Sequence, residues 1–141
     1  HIISFSPDET KILYQAKKNL TLPIFINPPL IATNPTKEER TLKKDYFYVY
    51  DKKEDRNYEI GNWKLEIGNL IMWYPNSKHL VLNEDKKISI FGYDGENRQV
   101  VYSGPYEKDF FLVSSSGNLI LLINFNPENN LEPDIYQIVI K

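Results

Sequence analysis

Apolar and β-branched residues in this chain come in short bursts of about five, and a turn-forming residue interrupts each burst before a helical stripe could build up. The runs Ile2–Phe5, Lys11–Tyr14, Tyr46–Tyr50, Leu70–Tyr74, Leu80–Leu82, Ile88–Tyr93, Gln99–Tyr102, Phe110–Val113, Leu119–Asn124 and Ile135–Ile140 read as strands, with a further apolar pair at Asn57–Ile60. Between them stand Ser6-Pro7-Asp8, Pro75-Asn76-Ser77, Asn83-Glu84-Asp85, Tyr93-Asp94-Gly95 and Ser116-Gly117-Asn118. Asp94-Gly95 and Ser116-Gly117-Asn118 predict tight hairpins, because a type I′ turn needs positive φ at both central positions. The best helical window, Pro35 to Lys44, has Thr36 placed as an N-cap but no apolar face, so it predicts no more than a short surface turn. The expected class is all-β.

With 141 residues and 41% hydrophobic content, the chain is sized for one domain with a real core. Lys plus Arg number 17 against 19 Asp plus Glu, a net charge of −2, and this balance argues against a nucleic-acid or anionic-membrane binder. No apolar run approaches the ~18 residues of a membrane-spanning helix. The absence of cysteine rules out disulfides, thiolate metal sites and a cysteine nucleophile.

The segment Ile3-Ser4-Phe5-Ser6-Pro7-Asp8-Glu9-Thr10-Lys11-Ile12-Leu13-Tyr14 aligns with Ile71 to Leu82, where the turn is Tyr74-Pro75-Asn76-Ser77, and again with Phe111 to Leu121 around Ser114-Ser115-Ser116-Gly117. Pro75 and Ser115 are 40 residues apart, close to the ~40–45 of a four-stranded propeller blade. Pro7 and Pro75 are 68 apart, which reduces to about one blade if most of residues 15–45 is an insertion. A strand ending in Pro-Asp or Pro-Asn loses a ladder donor at the proline, and the short polar side chain then caps the turn.

Phe5-Ser6-Pro7-Asp8, Trp73-Tyr74-Pro75-Asn76 and the Tyr46–Asp51 and Ile90–Asp94 strands resemble the repeats of TolB-like, WD-like β-propellers. The propeller part at the C-terminal end of bacterial PEGA-domain proteins is also similar. The resemblance implies about three four-stranded antiparallel blades: residues 1–61 with the Pro-rich insertion 15–45, residues 62–104, and residues 105–141, the last blade lacking its outer strand. It also implies an exported, envelope-associated protein. Propellers close to hide their edges. An incomplete set therefore implies a longer chain supplying the remaining blades, consistent with a start at His1 rather than Met, or pairing of two copies through the open blade edge. Phe5, Trp73, Phe110 and Phe111 are expected in packing between blades.

The chemistry of catalysis is thin. Only His1 and His79 are present, no Gly-x-Ser-x-Gly elbow exists, and Ser114-Ser115-Ser116 falls on a repeat turn. No HExxH, GxxxxGK or GxGxxG occurs, so no cofactor or metal is expected; Asp94 to Asn97 and Asn83-Glu84-Asp85 offer oxygen ligands without calcium-loop spacing. Asp51 to Arg56 and Lys37 to Lys44 mix signs as solvated loops do.

The insertion holds the most distinctive surface. Leu22, Ile24, Phe25, Ile26, Leu30 and Ile31 are too apolar for a bare loop, and Tyr46 and Tyr48 follow them. Two readings stay open: these residues form an interaction surface, or they fold back and plug the sheet. The expected function is a non-catalytic binding or scaffolding module engaging a protein partner or the rest of its own chain. The alternatives are an accessory substrate-gating domain of a hydrolase, or a β-domain that self-assembles.

Overall fold

A computed structural model describes residues 1–31, 34–63, 71–84, 86–129 and 132–140, and every regular element among them is a strand. Leu70 and Asp85, expected in a strand and a turn, lie outside the described residues. The first sheet runs β1 (Ile2–Phe5), β2 (Lys11–Gln15), β5 (Phe47–Asp51), β6 (Arg56–Gly61). Inside the insertion, β3 (Leu20–Thr21) and β4 (Thr41–Leu42) form a two-stranded ladder. The second sheet orders β7 (Ile71–Trp73), β8 (His79–Glu84), β9 (Lys87–Gly92) and β10 (Gln99–Ser103) side by side. The third contains β11 (Phe111–Val113), β12 (Leu119–Ile123) and β13 (Asp134–Ile138). All pairings are antiparallel, as short connections between chain neighbours require. The one long detour lies between β2 and β5.

The three aligned turns share the place of their positive φ, the third closing one residue sooner than the other two. Positive φ falls at Glu9 (63°), Ser77 (61°) and Gly117 (85°), the same position in each alignment. In each, that residue's N–H donates three residues back, to the carbonyls of Ser6, Tyr74 and Ser114. The Ser6, Tyr74 and Ser114 amides in turn donate forward to Lys11, His79 and Asn118. The polar side chains cap as their chemistry dictates. Asp8 accepts from the Thr10 amide at 3.0 Å and Asn76 from the Lys78 amide at 2.9 Å.

The Asp94-Gly95 and Ser116-Gly117 connections depart from the expected type I′ hairpins: Gly95 and Gly117 have positive φ, whereas Asp94 and Ser116 do not. Asp94 is held by its own turn, accepting from the Glu96 amide at 3.1 Å, so the loop from β9 to β10 is wider than two residues. Residues 35–44 form no helical turn; they lead extended into β4.

The chain divides into two compact units, His1–Lys64 with Gly92–Asn97, and Leu65–Phe91 with Arg98–Lys141. In the first, Leu13, Phe47, Tyr48, Val49 and Tyr58 are fully buried, each worth about 1.5–3 kcal/mol in hydrophobic transfer. In the second, Val81 and Ile88 pack with Phe111, Leu119, Leu121 and Ile123, joining the second and third sheets in one core. Trp73 and Phe111 are buried, as expected of large aromatics. Phe5 is not: it lies on edge strand β1, half-exposed, with the Lys52 ammonium 5.6 Å from its ring centroid.

Candidate functional site

The insertion leaves the first sheet through a tied base. The Ala16 amide donates to Tyr46 at 3.0 Å, the Asp45 amide to Ala16 at 2.7 Å, and the Lys44 amide to the Asn19 side chain at 2.7 Å. Ala16, Leu42 and Tyr48 form a small core there, with Tyr14, Leu22 and Tyr46 against it. Tyr14 and Tyr48 stack at 5.7 Å.

Beyond β3 the prolines deny the chain a ladder, so its backbone must find other partners. Asp55, in the turn between β5 and β6, supplies them. Its carboxylate accepts the Phe25 amide at 2.6 Å, the Ile26 amide at 2.7 Å, the Tyr50 hydroxyl at 2.7 Å and the Arg40 guanidinium at 3.1 Å. Burial disfavours its charge, yet these donors outweigh burial and hold the carboxyl below the ordinary range. Arg40 ties the two arms of the insertion together, donating to the Pro23 carbonyl at 2.6 Å and to Glu38 at 2.7 Å, and also to the Asp55 carbonyl. Tyr50, desolvated and facing the Asp55 charge, is pushed up to about 12.

A second tie holds the return arm. Asp94 accepts from the Thr36 hydroxyl at 2.7 Å and the Asn34 amide group at 3.0 Å, and Asn34 also donates to the Tyr93 hydroxyl at 3.0 Å. Burial again opposes the Asp94 charge, and these donors lower its pKa. Asn57, fully buried, donates to the Glu39 carbonyl at 2.7 Å and accepts from Tyr14 at 2.6 Å. The Asp94 turn, one of the two oxygen-rich turns, thus spends its carboxylate on the insertion. Among the described residues no three His, Asp or Glu side chains converge as metal ligands, and no helix is long and apolar enough to cross a membrane.

With the backbone held, the apolar side chains face outward. Ile24, Phe25, Leu30 and Ile31 are exposed, Phe25 at 68% and Ile31 at 97%. Leu22, Ile26 and Tyr46 are half-buried. Tyr48 lies apart from this group: at 0% exposure it is a core residue of the insertion's base and presents nothing to a partner. Beside Phe25 an apolar groove of about 250 Å³ is lined by His1, Ile2, Ile12, Tyr14, Leu22, Phe25 and Tyr50.

Asp55, Arg40, Asn34, Thr36 and Asp94, which position this surface, escaped the sequence reading. Asp55 and Arg40 sit in mixed-sign runs indistinguishable from solvated loops, Asn34, Thr36 and Asp94 carry only local turn and cap signals, and the partners lie up to 60 residues away. Comparison of the chain with protein-family models, curated proteins and solved structures finds no match.

Proposed function

We propose that the chain is a non-catalytic binding module whose insertion presents an apolar docking surface to a protein partner. One observation carries this reading: Ile24 and Phe25 are exposed, yet the backbone bearing them is fixed, the Phe25 and Ile26 amides by the buried Asp55 carboxylate and the Pro23 carbonyl by the Arg40 guanidinium, and the exposed Leu30 and Ile31 extend the apolar surface. Exposed apolar side chains on a loose loop would be ordinary; on a fixed one they are preorganised, which removes part of the ordering cost of association. The adjoining groove has the volume to receive an aromatic or branched aliphatic side chain.

The equivalent turns at Glu9, Ser77 and Gly117, and the antiparallel sheets of four, four and three strands, support reading the scaffold as TolB-like, WD-like propeller repeats. The propeller would then be the frame, and the insertion the feature that gives this chain its partner.

A photo-crosslinking residue at Ile31 tests the docking surface in cells that make the protein. The expected result is a defined protein adduct, lost in the Ile24→Asp/Phe25→Asp variant while that variant melts within about 2 °C of the parent. An adduct retained by the variant, or no adduct at all, would remove the proposal.

A further inference from the structure

The edge strands of this molecule are not alike. β1, β6 and β10 each pair through a register shift, at Ile2/Ser4, beside Phe47/Tyr48 and at Val100/Tyr102, and such bulges spoil an edge as a template. β7 and β11 pair over three residues each. β13 alone among the described edges combines a regular five-residue register with freedom from bulges, and residues 135–140 contain neither proline nor charge. It sits third in its sheet, as β5 and β9 do, but those are flanked by a fourth strand and expose at most one residue each, whereas β13 is exposed at four of its five residues.

We propose that β13 pairs antiparallel with β13 of a second copy of this chain, about a two-fold axis through Gln137. This register sets Ile135 against Val139, Tyr136 against Ile138, Asp134 against Ile140 and Gln137 against itself, and carries the strand on over Val139 and Ile140. Faces match under the rotation. Ile135, Gln137 and Val139 alternate onto one face, where Ile135 and Val139 are 71% and 60% exposed; Ile138 and Ile140, on the other, already pack against the unit's core. No like charges meet, so the strand is complementary to itself, as a two-fold interface demands. A single strand pair buries less than the ~1,000 Å² of a permanent interface, which makes this a concentration-dependent dimer. The inference stands on the second unit and is independent of the docking surface on the insertion.

The absence of cysteine gives a clean probe. In Gln137→Cys the two thiols meet at the axis with Cα atoms about 4.5–5.5 Å apart, within disulfide range. Oxidised glutathione should convert this variant to a covalent dimer at least tenfold faster than Ser115→Cys, whose thiol sits on an exposed turn. Sedimentation equilibrium should show the parent mass doubling between about 10 μM and about 1 mM. Ile135→Lys/Val139→Lys should abolish the doubling while keeping the parent's melting temperature, and Ile135→Glu/Val139→Lys should restore it, because only this register brings the two changes together. A parent that stays monomeric, equal crosslinking at the two cysteine positions, or a dimer indifferent to the lysine pair would overturn the proposal. So would a monomer whose outward β13 amides resist exchange, which would give the edge to another stretch of the same polypeptide.

Discussion

Asp55 stands 30 residues from Phe25 in sequence, yet it satisfies the amides of Phe25 and Ile26 together. Asp55→Asn keeps the size and loses the charge that Arg40 and two N–H groups converge on. We expect it to cost about 3 kcal/mol in urea unfolding, the range for breaking a buried pair from one side. The aligned turns give two opposed substitutions. Glu9→Gly relieves a positive φ of 63° and should stabilise by about 0.5–1 kcal/mol. Gly117→Ala should destabilise by more than that, since its φ is 85° and a Cβ would strike the Tyr74 ring, whose hydroxyl donates to the Gly117 carbonyl at 2.8 Å. Thermal melts of the two variants against the parent check both signs. At this scale sequence reading went astray at Tyr48. Tyr46, Tyr48 and Tyr50 alternate as an exposed face would, but β5 lies inside its sheet and is buried along most of its length, so period two there marks no water-facing side. Phe5 went astray in the opposite sense, because edge position outweighed its size.

Strands were legible wherever apolar alternation ran four residues or more between turn residues, and the observed β-elements outside the insertion follow those runs closely. β3 and β4 were not, since a two-residue ladder has no period to detect. The courses of residues 22–31 and 34–40 were equally hidden: their partners include side chains of the β5–β6 and β9–β10 loops and Arg56 at the start of β6, joined by tertiary contact rather than local pattern. The insertion's base and tip should respond differently to truncation. Leu42→Ala removes a buried side chain from the small core at the base and should cost about 2–3 kcal/mol. Ile31→Ser, at a nearly fully exposed position, should change stability by less than about 0.5 kcal/mol. Chemical denaturation of both variants measures the contrast.

For the whole molecule, stability should fall at both extremes of pH. Asp55 and Asp94 have folded pKa values below the ordinary 3.8, so the unfolded chain binds protons first; their contribution is complete above that value and is lost as pH falls through the lower folded values. Tyr50 and Tyr58 are shifted the other way, by burial first, from 10.0 to about 12. Their contribution is complete below pH 10 and disappears as pH rises towards 12. A melting-temperature profile flat between about pH 5 and 9 and falling on both sides is the expected form. The central claim, that a carboxylate fixes the insertion so that its apolar side chains stand ready, is tested most directly by residue-resolved hydrogen exchange at neutral pH. The Phe25 and Ile26 amides should be protected in the parent and exchange freely in Asp55→Asn. Free exchange of both amides in the parent would contradict it.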